Sequence, residues 1–223
     1  MSTHFTPHFR LTPRIKKQLA AIDALQSVRI THVRAREKRL LEQLEEISSD
    51  KHEVVDYMKA YDQMMVWAKA KAPLTEERIK ILHAYVLGNR KKSAYRRAQN
   101  AVFDETRKKI VYLPPKARYV PSLMHEFVNW IETSPYPPPI TAAVCQIGLN
   151  TIHPFYDGNG RTARLLTKYI LIKAGYKVPL LEEYYYKDIN GYYAAIETKD
   201  TLTSWISYFC EGMISCYKKR KKS

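Results

Sequence analysis

Apolar residues recur three and four positions apart in block after block of this chain, a period of about 3.6 that admits a bundle of amphipathic helices and little else. Thr12-Pro13 is an N-cap followed by proline at the first helical position, and Ile15, Leu19, Ile22 and Leu25 then share one face. Thr31 to Ile47 repeats the pattern, with Leu40, Leu41, Leu44 and Ile47 opposite a densely charged face. Asp50 with Glu53 makes a capping box ahead of Val54, Met58, Tyr61 and Met65. Thr75, followed by Glu76 and Glu77, opens a fourth helix through Ile79, Leu82 and Val86, which Gly88-Asn89 closes. Helical spacing returns at Leu123 to Ile131 and at Thr141 to Thr151, with the Pro135 to Pro139 run as a breaker between them. Two more helices follow: Arg161 to Ala174, with Gly175 as C-cap, and a last one with Trp205, Ile206, Phe209 and Met213 on one face.

The period changes once. Val102, then Ile110-Val111-Tyr112 and the Pro114-Pro115 stop, reads as a short hairpin turning near Asp104-Glu105-Thr106. Only seven glycines occur, against about sixteen at an ordinary usage of roughly 7%, so a large sheet is not expected. The fold expected is mainly α, with seven or eight helices and one hairpin in a single globular unit.

Lys and Arg number 37 and Asp and Glu 22, a formal charge of +15, which biases encounters toward phosphates, nucleic acid or acidic proteins. Lys218, Lys219, Arg220, Lys221 and Lys222 concentrate part of the excess in a basic tail that reads as solvated; nucleic acid is disfavoured as a partner, although this tail leaves it open. Cys145, Cys210 and Cys216 fit neither a disulfide framework nor zinc spacing and suit a reducing compartment. The first residues are polar and basic, and no run is long and apolar enough to cross a bilayer, so the expectation is a cytoplasmic protein without membrane insertion.

Chemistry concentrates between two helical blocks, in His153-Pro154-Phe155-Tyr156-Asp157-Gly158-Asn159-Gly160-Arg161-Thr162-Ala163-Arg164. Gly158-Asn159-Gly160 lets successive N–H groups converge on an anion at the start of a helix. Arg161 and Arg164, three apart, can both reach one polyphosphate. Asp157 is a hard oxygen ligand beside this nest, suited to magnesium, and His153 can deprotonate a hydroxyl. Taken singly, a turn, a capped histidine and a solvated basic face are the ordinary readings of these residues; their spacing together is what carries the signal.

That spacing resembles the Fic family signature, HPFx[D/E]GNGRxxR, at every fixed position. Tyr95-Arg96, Ile110 to Pro115, Val120-Pro121, Leu123-Met124, Ala174-Gly175-Tyr176 and Tyr192-Tyr193 are similar to the family's flap and flanking helices, and TPHFRLTPRI to larger members. The resemblance implies a Fic-type helical bundle with a short β-hairpin flap. Its parts would be an N-terminal helical region over 1–94 packing on the core, a core over 95–217 with flap and signature, and the tail over 218–223.

The activity implied is transfer of AMP from ATP to a Tyr, Thr or Ser hydroxyl of a target protein, with pyrophosphate leaving and Mg2+ as cofactor. His153 would be the general base and Asp157 the metal ligand. Asn159 and the backbone of Gly158 and Gly160 would hold the α-phosphate, Arg161 and Arg164 the outer phosphates, and Tyr192 would stand by the adenine. Ile110, Val111 and Tyr112 could align the target peptide by strand addition. Phosphorylation, UMPylation, phosphocholination or removal of AMP at the same site, and a nucleotide-regulated binding protein, are the alternatives; self-association is open.

Many Fic proteins carry an inhibitory [S/T]xxxE[G/N] helix whose glutamate pairs with the second signature arginine. Near the N-terminus, Ser49 to Val54 lacks the final residue, and Glu53 is explained by the capping box; Ser207 to Gly212 matches in full but resembles the family's last helix. The expectation is that neither Glu53 nor Glu211 occupies Arg164 and that the enzyme is not held off by its own glutamate.

Overall fold

The structure, a computed structural model, describes residues 3–26, 35, 38–40, 51–89, 91–104, 108–197 and 200–220. Helix α1 spans Pro13–Leu25, and the Thr12 hydroxyl accepts from the Ile15 N–H at 3.2 Å, as an N-cap should. Its buried Ile15 and Ile22 face helix α9, Thr201–Arg220, at the other end of the chain. The helix expected over Thr31 to Ile47, apart from positions 35 and 38–40, and the capping residue Asp50 lie outside the described residues. Helix α2, Lys51–Lys69, buries Val54, Met58 and Tyr61. Helix α3, Glu76–Val86, is capped by Thr75, whose hydroxyl accepts from the Arg78 N–H, and ends at Gly88, which takes a left-handed φ of +67°.

Strands β1, Val102–Asp104, and β2, Lys109–Tyr112, pair antiparallel, with Val102 opposite Tyr112 and Asp104 opposite Lys109. Glu105 and Thr106 of the expected turn lie outside the described residues. Helix α4 spans Val120–Thr133, α5 Pro138–Ile152 and α6 Asn159–Lys173. The proline run both ends α4 and begins α5: Pro138 and Pro139 sit in its first turn, where no N–H is needed and a fixed φ is an advantage. Helices α5 and α6 pack on each other, with α2 and α3 against α6 and with α4 and α9 against α5. Eleven of the fifteen residues of α5 are buried, and Trp205 of α9 donates its indole N–H to the Ala143 carbonyl at 2.8 Å.

Between α6 and α9 the chain forms two short helices absent from the sequence reading, α7 over Leu181–Lys187 and α8 over Ile189–Glu197. Seven and nine residues are too few for a period to show, and the run of tyrosines blurs it further. Among the described residues no helix is long and apolar enough to cross a membrane, and all three cysteines are buried thiols. The signature therefore forms the turn between the two most enclosed helices, so that the chemistry is held by the least deformable part of the fold.

Candidate active site

His153 closes α5 in a left-handed conformation, φ 50° and ψ 59°, and its N–H still bonds the Leu149 carbonyl at 2.8 Å. Its Nδ1 lies 3.3 Å from the Asn150 carbonyl. A carbonyl only accepts, so Nδ1 carries the proton and the Nε2 lone pair is the basic site. Burial lowers its pKa below 6.5, outweighing the Asn150 hydrogen bond, which raises it; Arg96 lowers it further, and Asp157 opposes. The imidazole is accordingly neutral at pH 7, ready to take a proton.

Helix α6 starts without a side-chain cap. Its N-cap is Gly158 in the left-handed region at φ +71°, and the first helical bond joins the Thr162 N–H to the Gly158 carbonyl. The N–H groups of Asn159, Gly160 and Arg161 precede that bond and belong to the open positive end of the helix. Asn159 departs from its expected role. Its side chain is 2% exposed and turned inward, accepting from the Phe155 N–H at 3.0 Å and donating to the Phe155 carbonyl at 2.9 Å. It staples the loop, which leaves its backbone N–H as the group it can offer an anion.

Asp157 is exposed; its Oδ1 accepts from the Gly158 N–H at 2.6 Å and its Oδ2 from Arg161 at 3.3 Å. No group of three or more His, Cys, Asp and Glu side chains able to hold a metal gathers among the described residues. Magnesium shared with substrate phosphates needs only one or two carboxylates, and Asp157 fits that donor set.

Both signature arginines have carboxylate neighbours, although neither Glu53 nor Glu211 lies on Arg164. The Glu53 Oε2 lies 3.1 Å from Nη1 of Arg161, the first signature arginine, a partner that the capping-box reading does not include. Glu211 behaves as expected and lies with Arg14 and Gln18, between α1 and α9. Arg164 has its Nε 3.7 Å from Oε1 of buried Glu182, which also pairs with Lys168. The Arg164 Nη1 reaches back to within 3.4 Å of where a side chain on Gly160 would begin, so the guanidinium lies beside the helix start.

The other expected residues are placed as follows. Tyr112 of β2 donates its hydroxyl to the Thr151 carbonyl at 2.8 Å, tying the hairpin to the turn of α5 before His153. Ile110 is exposed, and Val111 lies between them on the same strand. Tyr192 stands on α8 against Tyr185, Trp205 and Tyr208, with ring centroids 5.5, 5.6 and 6.4 Å away; these contacts tie α8 to α7 and α9.

Three residues escaped the sequence reading. Buried Arg96 donates from Nε to the His153 carbonyl at 2.8 Å, and from its Nη groups to the Ala98 and Pro115 carbonyls, so one guanidinium joins the base to both ends of the flap. The Tyr156 hydroxyl accepts from the N–H groups of Arg97 and Ala98. His83 of α3 stacks on Phe155 and bonds the Asp157 carbonyl. Only the Tyr95-Arg96 pair carried any signal, through its place before the flap.

Residues 73–171 match the sequence model of the Fic/DOC family. Among curated proteins, the protein adenylyltransferase Fic of Aedes aegypti is 36% identical over 75 residues, covering 32% of this chain and 15% of that protein. The protein of the same name from Drosophila melanogaster is 41% identical over 68 residues, covering 29% and 14%. The matched segments thus span about one-seventh of those relatives' length. Among solved structures, a Fic family protein from Desulfovibrio desulfuricans superposes with a TM-score of 0.77 at 19% identity, covering 98% of this chain and 77% of that one. A variant of IbpAFic2 in complex with adenylylated Cdc42 gives 0.60 at 16% identity, covering 96% and 72%. At such identities the likeness is one of fold.

Proposed function

We propose that this chain, which carries a Fic/DOC-family domain over residues 73–171, is a protein adenylyltransferase that moves AMP from ATP to a Tyr, Thr or Ser hydroxyl of another protein. The observation that carries the reading is the meeting of a neutral imidazole at the end of α5 with the uncapped, positive start of α6 and its two arginines. The names of the matched relatives point the same way.

In this reading the Nε2 of His153 takes the proton as the acceptor oxygen attacks the α-phosphorus. The bond to the bridging oxygen breaks, and pyrophosphate leaves. Charge grows on the nonbridging oxygens and on the leaving group, where the N–H groups of α6 and Arg164 would meet it, joined by Arg161 once the substrate displaces Glu53. Asp157 would hold magnesium together with the phosphates; when bound, the ion neutralises part of that charge. Exposed Ile110 on β2 suits a sequence-tolerant strand addition that delivers the hydroxyl, with Arg96 and Tyr112 fixing the hairpin relative to His153.

Mass spectrometry after incubation with ATP, alone and with lysate proteins, tests the assignment. A gain of one AMP moiety on self or target supports it. A gain of a phosphate moves the protein to a phosphotransferase of the same fold, and no covalent gain leaves a nucleotide-binding protein.

A further inference from the structure

The Asp157–Gly158 peptide is held from outside the signature. Its carbonyl oxygen lies 2.7 Å from Nε2 of His83, on α3, seventy-four positions away in sequence. A carbonyl cannot donate, so Nε2 carries the proton and Nδ1 accepts from the Ser93 hydroxyl at 2.6 Å. The ring lies nearly parallel to Phe155, 3.6 Å away at 15°, and the residue is 3% exposed. Both nitrogens and one face are therefore committed, which fixes the ring as a rigid donor.

The partner group is the one that most needs fixing. Gly158 has φ +71°, and glycine visits both signs of φ at similar cost, so the peptide before it can turn over more readily than any other in the loop. In a trans peptide the oxygen and the N–H point to opposite sides. With the oxygen on His83, the Gly158 N–H points at Asp157 Oδ1, 2.6 Å away, while Oδ2 of the same carboxylate takes Arg161. A turned-over peptide would set a carbonyl oxygen against that carboxylate, losing its donor and loosening Arg161. His83 also packs closely on the glycine itself: a side chain on Gly158 would begin 3.2 Å from His83 Nε2 and 3.2 Å from Leu87.

We propose that His83 is a positioning residue that locks the Asp157–Gly158 peptide, and through it the Asp157 carboxylate and Arg161, in the orientation that receives phosphate. The inference rests on the reading of this loop as a phosphate site and is indifferent to which group is transferred.

Two variants separate the hydrogen bond from the ring. His83→Phe keeps an aromatic face against Phe155 and removes the donor. His83→Gln places an amide N–H the same number of bonds from the backbone and removes the ring. The full chain is titrated with pyrophosphate in EDTA by calorimetry, and the Gly158 amide is followed by proton–nitrogen NMR without ligand. His83→Phe should weaken pyrophosphate binding tenfold or more and move or broaden the Gly158 amide; His83→Gln should stay within threefold of wild type with that amide in place.

Equal losses in both variants assign the effect to ring packing and overturn the lock, as does an unmoved Gly158 amide in His83→Phe. If His83→Phe does not fold, His83→Asn, whose shorter amide cannot reach the carbonyl, takes its place with the same expected loss. A wild-type protein that does not bind pyrophosphate defeats the phosphate-site reading and this inference with it; wild-type binding matched by His83→Phe defeats the lock alone.

Discussion

In the proposed reaction Glu53 competes with ATP for Arg161, and the size of that conflict follows from its setting. Its side chain is 46% exposed, and the pair with Arg161 spans 3.1 Å at the surface of the site. Arg161 is 18% exposed, but water already solvates the Glu53 carboxylate and both side chains lose freedom on pairing, so the pair is set at about 0.2–1 kcal/mol, the range of surface ion pairs. Removing the competitor should therefore raise ATP affinity by about 1.4- to 5-fold. Arg161 would not drift, since Asp157 also holds its Nη2. The variant is Glu53→Gln, with affinity read by calorimetry and turnover by the rate of self-modification. Glu211→Gln, beside Arg14 and Gln18, is the control and should change neither. A gain of tenfold or more, above about 1.4 kcal/mol, would mean that Glu53 restrains nucleotide binding far more than a surface pair can. A loss of affinity would mean that it props Arg161 for the substrate. Either result refutes the reasoning.

The remaining expectations follow from the same geometry. His153→Ala should lower transfer about 10²–10⁴-fold, the usual worth of a general base, while ATP binding stays near wild type; activity within a few-fold would remove His153 from the mechanism. Because burial lowers the His153 pKa, its basic form persists to lower pH than that of an ordinary histidine. The acid limb of kcat/KM should thus lie below pH 6.5, and a limb centred above it would contradict the assigned environment. Arg161→Ala should weaken ATP more than AMP, by a charge-assisted contact of about 1.5–3 kcal/mol, and equal losses for both nucleotides in calorimetry would place Arg161 elsewhere.

The helices that were legible are those long enough to repeat a period and marked by a cap: Thr12 for α1, Thr75 for α3, Gly175 after α6. Helices α7 and α8 were not, because their stability comes from the tyrosines and Trp205 packed around them, which are contacts between segments. The signature was legible because its residues act as near neighbours on one turn. Asn159 shows the limit of that: its type and position were plain, but the partner of its amide is the Phe155 backbone, which only the folded turn brings within reach.

Helix α6 shows how one basic stripe in the sequence divides into two kinds of residue. Arg161, Arg164 and Lys168 fall at i, i+3 and i+7 and share one side of the helix. Burial separates them. Arg161 and Arg164 stay partly accessible at the open end of the helix, while Lys168 is enclosed with Glu182 and donates to the Tyr57 hydroxyl at 3.3 Å. A buried ammonium without its carboxylate would be strongly destabilising, so Glu182 is first of all required by Lys168. Its distance of 3.7 Å to the Arg164 Nε is then a consequence of where Lys168 must be satisfied. The second signature arginine thus meets a carboxylate that the fold needs for its core, one turn away from the chemistry. A search confined to inhibitory patterns would pass over Glu182, because the reason for its presence lies in burial and not in any motif.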